Sequence, residues 1–179
     1  MSREAGERNE CIIYGVVWLT TLLVFIADFF IKSYLRSYLA FQSIPLIKNI
    51  LHITVVFNRG AAFGFFSGKT NFLVYIGIIF ILLFLFFIKR ESKKSSSGLK
   101  QSASFRGGVT APRSLLFLIS CGLILGGALS NLCDRIFLGY VVDYIDIRIW
   151  PVFNLSDSCI SIGVSLLFLN SFKRTDTSS

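Results

Sequence analysis

Four long apolar runs, approximately residues 12–31, 72–88, 114–132 and 154–172, constrain this 179-residue chain more than any other feature. Each approaches the roughly 20 helical residues needed to cross a hydrocarbon layer of about 30 Å. Lipid offers no hydrogen bonds to bare backbone, so a run of this kind is expected to be a helix. The expected fold class is therefore an all-α membrane protein with four transmembrane helices, forming one integral domain over residues 1–179. A composition of 54% hydrophobic and 15% aromatic residues, with 19 Phe, agrees with lipid as the main solvent. The first run could be read as a secretory signal, but it is too long and leads into Asp28 and Lys32 rather than a cleavage site. It is expected to be a retained span.

The formal net charge of +8 does not point to nucleic acid, because the basic residues gather in short segments between the apolar runs. They read as topology signals. The stretch from Lys89 to Arg113 carries seven basic residues and one acid, Glu91, among Ser and Gly, which suggests a flexible cytoplasmic loop over about 89–113. Lys173 and Arg174 place the C-terminal tail on the same side, and four spans bring the N-terminus there too. Residues 32–71 and 133–153 are then extracytoplasmic. Within the first of these, Leu51, Ile53, Val55 and Phe57 alternate at strand period, so a small extracytoplasmic β element is expected between the first two spans. Beyond it, Arg59, Gly60 and Ala61 lead into Phe63, Gly64, Phe65 and Phe66, a sequence suited to dipping into the membrane interface.

The four cysteines, Cys11, Cys121, Cys133 and Cys159, form no C-x-x-C pair, and the one histidine, His52, has no neighbouring cysteine. Neither a metal site nor a cofactor is expected. His52 reads as a strand residue.

The chain has only ten acids, and Asp28, Asp134, Asp143, Asp146 and Asp157 fall at the outer ends of spans or in the second external segment. Acids in or beside apolar spans are costly, about 2.5–3.5 kcal/mol on insertion scales for Asp at a helix centre, so each needs a reason. Asp28 can be an interfacial partner of Lys32 one turn on, or a support for a neighbouring site. Asn154 and Asp157 can simply start a helix, with Asn154 as N-cap and Asp157 at the positive end of the dipole. Yet a second Asn-x-x-Asp, Asn131 to Asp134, ends the third run, where a carboxylate opposes the dipole and Arg135 is the adjacent cation. Asp143 follows Val141 and Val142 just outside the membrane. As a pair, Asp143 and Asp157 could share one proton and activate water without metal or nucleophilic side chain. A serine mechanism would need Lys32 near Ser130, Ser156 or Ser158, and neither G-x-S-x-G nor S-x-x-K is present.

The blocks FIADFFIK, FNRGAAFG, GGALSNLCDR, GYVVDYID and WPVFNLSDS, in this order from about Asp28 to Gly163, resemble the lipoprotein signal peptidases, or signal peptidase II. The resemblance implies a four-span aspartyl endopeptidase of the bacterial inner membrane, with both termini cytoplasmic and the site on the extracytoplasmic side. It implies cleavage of diacylglyceryl-modified prolipoproteins just before the lipidated cysteine, with membrane lipid as the surroundings; a monomer is the expected unit, while the sequence itself leaves the oligomeric state open. Asp143 and Asp157 are the implied catalytic dyad. Asp28, Lys32, Asn58, Gly60, Asn131, Asp134, Arg135 and Asn154 fall at the remaining polar or close-packed positions, implied to orient the dyad, hold the external segment or meet substrate. Ser130 departs from the usual Gly and Ser156 from the usual Ala. The stretch between Asp143 and Asp157 is also shorter than in the family, which leaves open the external helix that covers the site in relatives. The competing reading is a non-enzymatic four-helix transporter or assembly factor using the acids as a relay.

Overall fold

The computed structural model describes residues 2–40, 42–60, 66, 68–104 and 115–175. Among these residues are four helices, α1 (Ser2–Tyr38), α2 (Thr70–Ser104), α3 (Leu115–Phe137) and α4 (Leu155–Thr175), and three strands, β1 (Ser43–Ile47), β2 (Leu51–Asn58) and β3 (Val141–Asp146), of which β3 packs on α1 and α3. Three helical stretches, Tyr14–Tyr38, Thr70–Ser92 and Leu115–Phe137, are long and apolar enough to cross a membrane, while the apolar part of α4, Leu155–Ser171, is shorter. The external apolar segment around Phe63, Gly64 and Phe65 lies outside the described residues, as does the later part of the expected loop, 105–113. The loop's first part is helical, because α2 runs on to Ser104. Glu91, Lys93 and Lys94 are good helix formers that carry the helix past the apolar run, and it continues through Ser95, Ser96, Ser97 and Gly98 despite their poorer propensity.

Helix α3 is the axis of the bundle. Its neighbours reach it through glycines: a Cβ on Gly122 would lie 2.5 Å from Thr20 Cβ, and one on Gly126 2.8 Å from Thr21 O, both on α1. On the other side, a Cβ on Gly127 would lie 2.5 Å from Ser156 O, and one on Gly163 of α4 2.9 Å from Ser120 O. Close approach of this kind replaces the hydrophobic drive that is missing between helices in lipid. The outward faces of α1 and α2 expose Leu22, Leu23, Phe30, Leu82, Leu83 and Phe86, an apolar band that only lipid or another apolar partner can cover.

The strands form one antiparallel sheet in the order β1-β2-β3. Strand β2 lies where alternation predicts it. Strand β3 comes from between α3 and α4, so the β element is wider than one inter-span segment supplies. Gly139, at φ 78°, turns the chain out of α3 after its amide closes on Arg135 O at 3.2 Å. Val142, Tyr144, Val55 and Leu35 then form a small core under the sheet. Beyond β3 the chain doubles back without a helix: Ile145 N donates to Phe153 O at 2.7 Å, and Phe153 N to Ile145 O at 3.1 Å. Asp146 caps this turn by accepting from Arg148 N at 2.8 Å, with Arg148 at φ 67°. The covering helix left open by the sequence is absent from 147–153.

Candidate active site

Strand alternation decides which way β3 presents its side chains. Val142 and Tyr144 point into the helix ends, whereas Val141 and Asp143 line a cavity of about 710 Å³. Helix α4 begins beside it. Asn154 is the N-cap: its Oδ1 accepts from Asp157 N at 2.9 Å, and Asp157 Oδ2 accepts in return from Asn154 N at 3.3 Å. The helix-start reading of Asn154 and Asp157 is thus realised, and it fixes the Asp157 carboxyl in the same cavity as Asp143.

Each oxygen of the two carboxyls has an N–H donor. Asp143 Oδ1 accepts from Asn154 Nδ2 at 2.7 Å and Oδ2 from Asn58 Nδ2 at 2.9 Å. Asp157 Oδ1 accepts from Asn131 Nδ2 at 2.8 Å. Three asparagines therefore orient the pair while leaving lone pairs open to the cavity. Burial is the main force on the Asp143 carboxyl and pushes it up to about 6, with the Asp157 charge adding to the rise. Hydrogen bonds from Asn58 and Asn154 and the Lys32 charge oppose it.

Behind the asparagines sits Lys32, which is 3% exposed. Its ammonium has three protons, and they meet Asp28 Oδ2 at 2.6 Å, Asn131 Oδ1 at 2.8 Å and Asp134 Oδ2 at 2.9 Å. The contact with Asn131 Oδ1 settles that amide's orientation and aims its NH₂ at Asp157. Asp28 is the i,i+4 partner of Lys32, and it is fully buried rather than interfacial. It also accepts from Tyr144 OH at 3.3 Å, and burial followed by the Asp28 charge raises the Tyr144 hydroxyl so that it stays neutral.

One expectation is corrected. Arg135 does not pair with Asp134, because successive residues on a helix point about 100° apart. Lys32 and the Val142 amide, at 3.2 Å, satisfy Asp134 instead. Arg135 reaches Asn131 O and Gly60 O, both at 3.2 Å, and so ties the segment after β2 to α3. Gly60 N in turn donates to Asn58 Oδ1 at 2.9 Å.

All ten residues singled out in the sequence gather at this end of the bundle. His52 does not; it pairs across the sheet and meets Ser43 Oγ at 3.4 Å. Asp146 lies at the far end of β3, held by Thr54 and Arg148. The sequence reading missed Tyr144 and gave Ser130 and Ser156 no role, because β3 has no clean polar–apolar alternation and a hydroxyl in an apolar helix reads as packing. With Lys32 held by Asp28, Asn131 and Asp134, and the Ser130 and Ser156 hydroxyls both donating to Asp28 Oδ2 at 2.6 Å, Lys32 is not free to activate either serine.

The family model for signal peptidase (SPase) II matches residues 20–173. Curated relatives include the lipoprotein signal peptidase of Halothermothrix orenii, 41% identical over 86% of this chain and 93% of that one. That of Syntrophomonas wolfei is 40% identical over 85% and 89%, and that of Nostoc punctiforme 36% over 90% and 92%. A bacterial membrane enzyme solved by the in meso method superposes at TM-score 0.73 with 30% identity, covering 92% of each chain. A second such structure gives 0.69 at 30% identity, covering 89% of this chain and 94% of the other. With the match spanning nearly all of the chain, this protein belongs to the signal peptidase II family.

Proposed function

We propose that this chain removes the signal peptide from diacylglyceryl-modified prolipoproteins, hydrolysing the bond before the lipidated cysteine with Asp143 and Asp157 as an aspartyl dyad. The observation that carries this reading is the pair of carboxyls lining one cavity, each held by asparagine N–H donors. Such a pair works with one shared proton: the ionised member takes a proton from the attacking water, and the protonated member delivers one to the departing amine. Asp28, Lys32, Asn131, Asp134 and Asn154 would fix the geometry. Arg135, Asn58 and Gly60 would hold the segment that borders the cavity.

Membership of the family, and the names its relatives carry, support the substrate class. Apolar walls made by Val56, Phe57, Trp150, Phe153 and Ile160 suit a lipid-bearing peptide. A diacylated substrate already lies in the bilayer, and each buried CH₂ adds about 0.8 kcal/mol of affinity. In this reading α4 is the fourth span, the basic loop and both termini lie in the cytoplasm of a bacterial inner membrane, and the site faces outward. The relay alternative would distribute ionisable groups through the depth of the bundle, whereas Asp28, Lys32, Asp134 and both dyad residues gather at one end.

Purified protein offered matched precursor peptides, with and without the diacylglyceryl group, should cut only the modified one, with the cysteine as the new N-terminus. Equal cleavage of both, or of neither, would contradict the proposal.

A further inference from the structure

Asp28 is fully buried at the outer end of α1, and its Oδ2 alone receives three donors: Lys32 Nζ, Ser130 Oγ from α3 and Ser156 Oγ from α4, each at 2.6 Å. Ser130 is 3% exposed and Ser156 fully buried. Without the hydroxyls, a buried carboxylate would have to draw its compensation from Lys32 and from the Tyr144 hydroxyl, which donates to Oδ1 at 3.3 Å. Lys32 has other work: its remaining two protons hold Asn131 Oδ1 and Asp134 Oδ2. A lysine pulled wholly onto Asp28 would release Asn131, the amide that orients Asp157.

We propose that Ser130 and Ser156 are positioning residues for the dyad: together they satisfy Asp28, so that Lys32 can be shared with Asn131 and keep its amide aimed at Asp157. This rests on the dyad reading above. The arrangement also links three helices at one atom. Small residues without hydroxyls would allow the same close packing of α3 on α4, where Gly127 already meets Ser156 O, but would leave Asp28 to Lys32. The hydroxyls therefore act on geometry next to the chemistry rather than on substrate binding.

The test uses the full chain in detergent and release of signal peptide from a diacylglyceryl-modified precursor. The Ser130→Gly/Ser156→Ala variant should lose about tenfold in kcat, the kinetic weight of a hydrogen bond to a charged group, with KM unchanged. Each single variant should lose less than the double. Thermal unfolding of the same samples sets the fraction folded. An unchanged kcat, a loss shared between kcat and KM, or a loss equal to the loss of folded protein would each overturn the proposal and leave the serines as packing residues. Asp143→Asn is assayed in parallel: if it retains turnover, the dyad reading itself has failed. If it is inactive while the double serine variant keeps wild-type kcat, only the serine role has failed.

Discussion

Asn154 carries two duties at once, capping α4 through Oδ1 and holding Asp143 through Nδ2 at 2.7 Å. Asn154→Ala should therefore cost about 1 kcal/mol of stability as a lost cap. It should also lower turnover by about 100-fold, since a donor beside the proposed dyad is gone. Parallel melting and cleavage assays separate the two effects, and a loss of activity no larger than the loss of folded protein would refute the second duty. Asp143 gives a pH signature with a defined sign. Its carboxyl is raised from 3.8 to about 6 by burial, so between those values the folded protein keeps a proton that the unfolded chain has lost. Stability contributed by this group is thus present at the acid end of the window and falls as pH rises through it. The Tm of wild type minus that of Asp143→Asn should decline across the window, and a rising difference would contradict the assignment. Acids and asparagines at span ends were legible in the sequence because their placement is costly. Ser130, Ser156 and Tyr144 were not, since a hydroxyl in an apolar helix or strand serves packing equally well and leaves no pattern of its own.

At the scale of elements, the glycines of α3 and α4 set how closely the helices carry those residues toward one another. A Cβ on Gly127 would lie 2.5 Å from Ser156 backbone oxygen, and that oxygen belongs to the turn presenting Asp157. Gly127→Ala should cost about 1–3 kcal/mol by overpacking and lower activity as well. Gly15, which has nothing within 4 Å of its would-be Cβ, supplies the control. Gly15→Ala should be neutral or stabilising by up to about 1 kcal/mol, as for any helical glycine. Equal effects at both positions, read by thermal unfolding, would show that close packing is not what Gly127 serves. Helices α1, α2 and α3 were visible as apolar runs, and β2 as an alternation of Leu51, Ile53, Val55 and Phe57. Strand β3 escaped because it is buried on both faces and reads as Val, Val, Asp, Tyr, Ile, Asp with no clean alternation. The turn after it was equally hidden, since Arg148 adopts a positive φ that its residue type does not advertise.

For the whole molecule, the proposed arrangement puts the sheet and the carboxyl cluster on one side of the membrane and the basic segment near Lys93 on the other. Single cysteines in a cysteine-free background should react with an impermeant reagent in intact cells near Asn58 and not near Ser96. The opposite pattern would invert the topology. The dyad itself is tested most directly by signal-peptide release from a diacylglyceryl-modified precursor, comparing wild type with Asp143→Asn, Asp157→Asn, their double variant and Asp146→Asn. An amide keeps the carboxyl's shape but neither takes water's proton nor supplies one to the amine. Each single dyad variant should therefore lose about a thousandfold or more in turnover while remaining inserted and folded, and the double should be little worse, because residues acting as a unit are not additive. Asp146→Asn, at the far end of β3, should keep most of its activity. Near-normal turnover in Asp143→Asn or Asp157→Asn, with loss in Asp146→Asn, would contradict the account.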